Sequence, residues 1–109
     1  FNGIVPHLEN RAAFVVSSPD VPEAQQKFKT GRGWKFRMVS HNGTTFAEDM
    51  GYFNSDGMQP GVSVFKKSGN KILRVSDAEF GPGDDFSIPW HLFDLIPEGA
   101  NGWEPKYRY

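Results

Sequence analysis

Cysteine is absent from all 109 residues. With it go disulfides, thiolate nucleophiles, cysteine-ligated zinc and any thiol–disulfide exchange by this polypeptide alone. A surplus of one charge is also missing: 12 Lys and Arg stand against 13 Asp and Glu, a formal net charge of −1. No global field therefore draws the chain to nucleic acid or to an anionic bilayer. No run of about 18 apolar residues exists to span a membrane, and no charged-then-apolar leader pattern is found. The expected location is the reducing cytoplasm, where cysteine-free chains lose nothing. His7, His41 and His91 do not fall at zinc-ligand spacing. Gly31-Arg32-Gly33 is far short of a phosphate-binding loop. The expectation is no metal and no cofactor.

What is present is aromatic and apolar. Aromatics make up 15% of the chain, with 10 Phe, and hydrophobic residues 38%. Disordered chains are poor in aromatics, so this one is expected to fold, as one domain over residues 1–109. It opens Phe1-Asn2-Gly3 rather than on Met, and reads as a fragment or a processed product.

Phe1, Ile4, Val5 and Leu8 lie at helical spacing, interrupted by Gly3 and Pro6. Ala12–Ser17 is a β-branched and aromatic run, apolar on both faces like a buried parallel strand. A helix is expected next, capped by Asp20 with Glu23 answering as in a capping box. Val21, Ala24 and Phe28 would form its apolar stripe, Gln25 and Gln26 would face water, and Gly31 would end it. Lys35–Ser40 reads as a second strand, joined to the first by a right-handed crossover if the two are parallel. Residues 44–49 allow a turn or two of helix, and 54–61 read as loop. Gly61–Lys66 and Lys71–Val75, linked by Lys67-Ser68-Gly69-Asn70, have the chemistry of an antiparallel hairpin. Ser87 is placed to cap a last helix carrying Trp90, Leu92, Phe93 and Ile96. The tail with Trp103, Tyr107 and Tyr109 is expected to lie against the domain as an aromatic strap.

Several local patterns carry chemistry. Lys27, Lys29, Arg32, Lys35 and Arg37 surround Phe28, Trp34 and Phe36, so segment 27–37 loosely echoes an RNA-recognition signature. Lys35 stands where that signature wants a small residue, and the plainer reading is a solvated helix end with Trp34 and Phe36 in the core. Ser63 lies in Gly61-Val62-Ser63-Val64-Phe65, which lacks the second glycine of a nucleophile elbow and sits on a strand. Asp84 and Asp85, flanked by glycine, could hold a cation weakly or form the turn before the last helix. Asn42-Gly43-Thr44 matches a glycosylation sequon and reads equally as a turn.

The order strand, helix, strand, hairpin, helix resembles the later part of a thioredoxin-like fold. Gln59-Pro60-Gly61-Val62-Ser63-Val64-Phe65-Lys66 resembles the thioredoxin segment in which a cis-proline opens a strand ending in Phe-Lys. A closer similarity is to a mostly bacterial branch, domain-of-unknown-function family 899. It is carried by Pro6-His7-Leu8-Glu9-Asn10-Arg11 leading into Phe14-Val15-Val16, by Arg32-Gly33-Trp34 leading into Met38-Val39-Ser40, and by Val62-Ser63-Val64-Phe65. Trp90-His91-Leu92-Phe93-Asp94-Leu95-Ile96-Pro97-Glu98-Gly99 and Trp103 to Tyr109 complete it. The resemblance implies an α/β, thioredoxin-like three-layer sandwich that lacks the first strand and the cysteine-bearing helix of the fold. It implies a ligand-facing surface at Gln59, Pro60 and Gly61 beside Met58, with Pro60 cis. No redox residue carries over, and the catalytic residues stay unknown.

In that fold the first strand is central, bonding on both sides. An empty slot would leave many backbone groups without partners, each costing about 1–3 kcal/mol if buried. The expected filler is an N-terminal segment, a second copy of the chain in a homodimer, or a rearranged sheet. Two functional readings follow: a relative of thioredoxin-like oxidoreductases whose chemistry lies outside this chain, or a non-catalytic binding or assembly module. RNA binding by residues 27–37 is a third.

Overall fold

Proline fits a first helical turn, because its missing N–H would have no partner there. Pro6 uses this place in α1 (Val5–Glu9), which buries Val5. The computed structural model describes residues 1–109, in two units, Phe1–Gly51 and Tyr52–Tyr109.

In the first unit α1 is followed by β1 (Val15–Ser18), α2 (Pro22–Arg32) and β2 (Arg37–Ser40). β1 and β2 pair in parallel, from Val15 opposite Arg37 to Ser18 opposite Ser40. The strand–helix–strand reading is therefore met, with α2 as the crossover. Side chains alternate across a strand. Val16, Ser18, Met38 and Ser40 are half-buried, while Val15, Ser17, Arg37 and Val39 are exposed. β1 is thus covered on one face, not on both as its composition suggested. A short α3 (Phe46–Asp49) closes the unit and buries Ala47.

α2 departs from the expected pattern in three ways. Its N-cap is Val21, with no side-chain cap; Asp20 instead accepts from the Ser18 hydroxyl at 2.9 Å. It runs past Gly31 to Arg32 and ends on Gly33 in the left-handed region, φ 64°. Glycine at the following position offers the better stop, since only there does the chain need positive φ. Its buried residue is Gln25, 6% exposed, while Val21 and Phe28 lie open. The reason is a polar seam: Gln25 Nε2 donates to Ser18 Oγ at 2.8 Å and to the Val39 carbonyl at 2.9 Å. One amide thereby ties the helix to both strands.

A file of rings runs through this unit, from exposed Phe1 and Phe28 at its ends to buried Phe36. Phe1 and Phe14 centroids lie 5.8 Å apart, Phe14 and Phe36 6.2 Å, Phe36 and Trp34 5.0 Å, and Trp34 and Phe28 5.3 Å. Phe36 is buried at 5% exposure. The Arg32 guanidinium stands 4.8 Å from the Phe28 centroid, a cation–π contact at the helix end.

In the second unit, residues 54–61, expected as loop, hold a miniature hairpin of β3 (Phe53–Asn54) and β4 (Gly57–Met58). The main hairpin is longer than its sequence signal: β5 (Gly61–Ser68) and β6 (Lys71–Glu79) pair antiparallel. The turn is Gly69-Asn70, with Gly69 at φ 60°. Pairing jumps from Val64 opposite Ser76 to Phe65 opposite Arg74, so Val75 is an extra, bulged residue. Val64, Phe65, Leu73 and Val75 are exposed, as is Ile72 at 74%. After a loop comes α4 (Ile88–Phe93), with Ser87 at its N-cap and no side-chain cap bond; Ile96 lies beyond it. Trp103 packs on Phe93 at 4.8 Å and Trp90 at 5.5 Å. Farther along the tail Tyr107 and Tyr109 are 82% and 86% exposed, and the Tyr109 hydroxyl accepts from the Lys106 N–H at 3.1 Å.

The fold is α/β, with three two-stranded sheets, β1–β2, β3–β4 and β5–β6. No helix is long and apolar enough to cross a membrane.

Candidate functional site

Gln59, Pro60 and Gly61 link β4 to β5. Gln59 N–H donates to the Tyr52 carbonyl at 2.8 Å, and the Pro60 carbonyl accepts from Phe80 N–H at 3.0 Å. Pro60 is exposed. Its peptide bond is trans, like every other in the chain, so the cis geometry expected from the thioredoxin-like segment is not adopted. Pro60 extends the β5–β6 ladder by one bond at the start of the strand, a position that proline tolerates.

Gly61 is required for space. A Cβ there would lie 2.5 Å from Tyr52 Cε1 and 2.9 Å from the Ala78 carbonyl oxygen. The Tyr52 ring lies over the Gly61 backbone and delivers its phenol to a polar cluster. Tyr52 and Ser63 hydroxyls are 2.6 Å apart. Arg74 donates from Nε to Ser63 Oγ at 3.0 Å and from Nη2 to the Tyr52 oxygen at 3.3 Å. Arg74 Nη2 also meets Asp77 Oδ2 at 2.7 Å, and its guanidinium stands 5.5 Å from the Tyr52 ring centroid. Ser63 is thus engaged by a phenol and a guanidinium; the cluster's carboxylate, Asp77, is bonded to Arg74 and not to Ser63, and no imidazole stands by to take the serine proton. The cluster fixes a surface next to Pro60 and Gly61; it does not assemble a nucleophile. Sequence reading missed Tyr52, Arg74 and Asp77. The signal was the register of the hairpin, which sets Asp77 opposite Ser63 and Arg74 opposite Phe65.

Residues 1–108 match the family model described as a bacterial protein of unknown function, DUF899. The chain belongs to this family. Neither a curated protein nor a solved structure matches it.

This DUF899 chain holds a second polar cluster in its first unit, at the carboxyl ends of the parallel strands. Such ends are where open α/β sheets most often bind ligands. Ser17 Oγ lies 2.7 Å from His41 Nδ1, and the His41 ring packs on Phe46 at 5.7 Å. His41 Nε2 is buried without a hydrogen-bond partner. A hydroxyl beside an imidazole is half of a nucleophile relay, but the orienting group that the far nitrogen needs is not there. Around it, Ser40 Oγ donates to the Asp20 carbonyl at 2.6 Å, and Asn42 Nδ2 donates to the Pro19 carbonyl at 2.9 Å. Asn42 of the sequon is therefore a tethered turn residue.

The other singled-out residues fall elsewhere. His91 Nε2 lies 2.8 Å from the Asp84 carbonyl; a carbonyl only accepts, so Nε2 carries a hydrogen. The Asp84 carboxylate accepts from Gly81 N–H at 2.6 Å and Phe86 N–H at 2.7 Å. The Gly81 bond most of all holds its pKa below the ordinary carboxylate value, against a smaller opposing effect of burial. Asp84 therefore builds the turn ahead of α4. No three His, Asp or Glu side chains converge as a metal site. In segment 27–37, Trp34 is stacked between Phe28 and buried Phe36.

Proposed function

We propose that this chain is the larger part of a thioredoxin-like domain and acts as a strand-accepting, ligand-binding scaffold with no thiol chemistry of its own. The central strand, in this reading, comes from a segment of the same protein outside residues 1–109. The observation that carries it is the division of the strands into pairs. β1 bonds only to β2, and β5 only to β6, so each pair offers open edges. Two-stranded parallel sheets rarely stand alone, because parallel strands are normally buried within larger sheets. A hairpin by itself is marginally stable in water. The element order and the resemblance of Gln59–Lys66 support the thioredoxin-like assignment.

Ligand contact is assigned to the surface at Gln59, Pro60 and Gly61, held by Tyr52 and the Ser63–Arg74 cluster. Any redox chemistry would reside in residues that this chain does not contain, since it has no cysteine.

Light scattering tests the reading by comparing residues 1–109 with a longer protein that carries the proposed additional segment. The isolated chain is expected to be poorly soluble or concentration-dependent in size, and the longer protein monodisperse. A monodisperse, cooperatively folded monomer of residues 1–109 overturns the proposal. A stable dimer would give the vacant place to a second copy instead, and would equally overturn it. In an insulin-reduction assay the 109-residue chain is expected to give no turnover.

A further inference from the structure

We propose that Asn101 is a site of spontaneous deamidation, and that conversion to isoaspartate there releases Trp103 from its aromatic seat. Three Asn-Gly pairs occur, at 2–3, 42–43 and 101–102. Glycine after asparagine leaves the succeeding amide nitrogen unshielded, so each pair has the composition for the reaction. Only one has the freedom. Asn2 Nδ2 donates to the Gly33 carbonyl at 3.3 Å while its Oδ1 accepts from Lys35 N–H at 2.7 Å. Asn42 is held through Nδ2 on the Pro19 carbonyl and through its own N–H on Ser40 Oγ. Asn101 is exposed, its side chain makes no hydrogen bond, and it is the one non-glycine residue at positive φ, 45°.

The reaction is self-contained. The Gly102 main-chain nitrogen, having lost its proton to water, attacks Asn101 Cγ. An N–Cγ bond forms, the Cγ–Nδ2 bond breaks, and ammonia leaves with the succinimide behind it. Water then opens the ring at either carbonyl, giving aspartate or isoaspartate and one added negative charge.

The position gives the reaction a structural consequence. Asn101 and Gly102, at φ 45° and 72°, are the central residues of a turn closed by Trp103 N–H on the Ala100 carbonyl at 2.8 Å. Positive φ at both central positions is the type I′ pattern that Asn-Gly favours. That turn sets Trp103 against Phe93 and Trp90. Isoaspartate inserts a methylene into the main chain at the first central residue, and the four-residue ring can no longer close in the same shape. Aspartate leaves the backbone unchanged and keeps it.

The test is to age the full chain at mildly alkaline pH and map peptides by mass and by isoaspartate content. Asn101 is expected to convert at least roughly tenfold faster than Asn2 or Asn42, the factor that about 1.4 kcal/mol of side-chain hydrogen bonding imposes. Tryptophan emission of the aged chain is expected to shift to the red in step with isoaspartate. Asn101→Asp should keep the emission of fresh protein, and Asn101→Gln should neither convert nor shift. Equal or faster conversion at Asn2 or Asn42 overturns the site. A red shift in unaged Asn101→Asp, or none in isoaspartate-rich protein, overturns the link to Trp103.

Discussion

Gly61 shows how one missing side chain places another. The Tyr52 ring occupies the space of a Cβ, and the Ala78 carbonyl closes the other side. Main-chain oxygen cannot step back as a flexible side chain could. Gly61→Ala is therefore expected to cost about 1–3 kcal/mol, the range of overpacking in a filled site, measured by urea denaturation. Tyr52→Phe tests the same cluster from its polar end. It removes one hydroxyl from the Ser63–Arg74 network and is expected to cost about 0.5–1.5 kcal/mol without altering the β5–β6 ladder. Asp84 gives a pH dependence with a definite sign. Its folded-state pKa lies below the ordinary carboxylate value, so its contribution is complete above the unfolded pKa of about 3.9 and fades as pH falls through the lower folded value. Hydrogen exchange at Gly81 and Phe86 is expected to quicken in that acid window in the wild type. In Asp84→Asn these amides should lack the acid step. Residue-scale chemistry was partly legible in the sequence: the absence of cysteine needed no structure. Tyr52 and Arg74 could not be singled out, because their meeting depends on register and on a bulge at Val75.

At the scale of elements, hydrophobic pattern read the type and order of segments and misread their faces. The strand–helix–strand unit, the hairpin and the last helix all stand where composition placed them. α2 is the instructive exception. Apolar stripe logic turned Val21, Ala24 and Phe28 inward and Gln25 outward. In the fold Gln25 is buried, because Ser18 and the Val39 carbonyl present polar groups that an aliphatic side chain would leave without partners. Gln25→Leu is expected to destabilise the first unit by about 1–3 kcal/mol, despite its better hydropathy. Thermal unfolding followed by circular dichroism would measure this; an unchanged or raised midpoint would contradict the polar seam. The end of α2 was misplaced by two residues for a related reason. Gly31 and Gly33 look alike in sequence, and only the need for positive φ, met at Gly33, separates them.

For the whole molecule the deciding quantity is surface left in water. The chain keeps 8898 Å² accessible. Two separately folded units that share this mass are expected to keep about 7,300 Å². The surplus includes apolar side chains along β5 and β6 and on α4, among them Leu73, Val75, Ile88 and Leu92. Obligate protein interfaces bury about 1,000–2,500 Å² on each partner, so the surplus is of the size that one further structural element would cover. Composition could reveal that this chain folds, but not that its strands remain in pairs; that follows from which partners each strand lacks. Hydrogen exchange resolved to single amides in β1 and β5 is the most direct test. In residues 1–109 alone, amides of Val15–Ser18 and Gly61–Val64 that turn away from β2 and β6 should exchange at nearly the rate of open chain, then become protected when the proposed additional strand is supplied. Uniform protection on both sides of these strands in a monomer of 109 residues would contradict the proposed strand-accepting role.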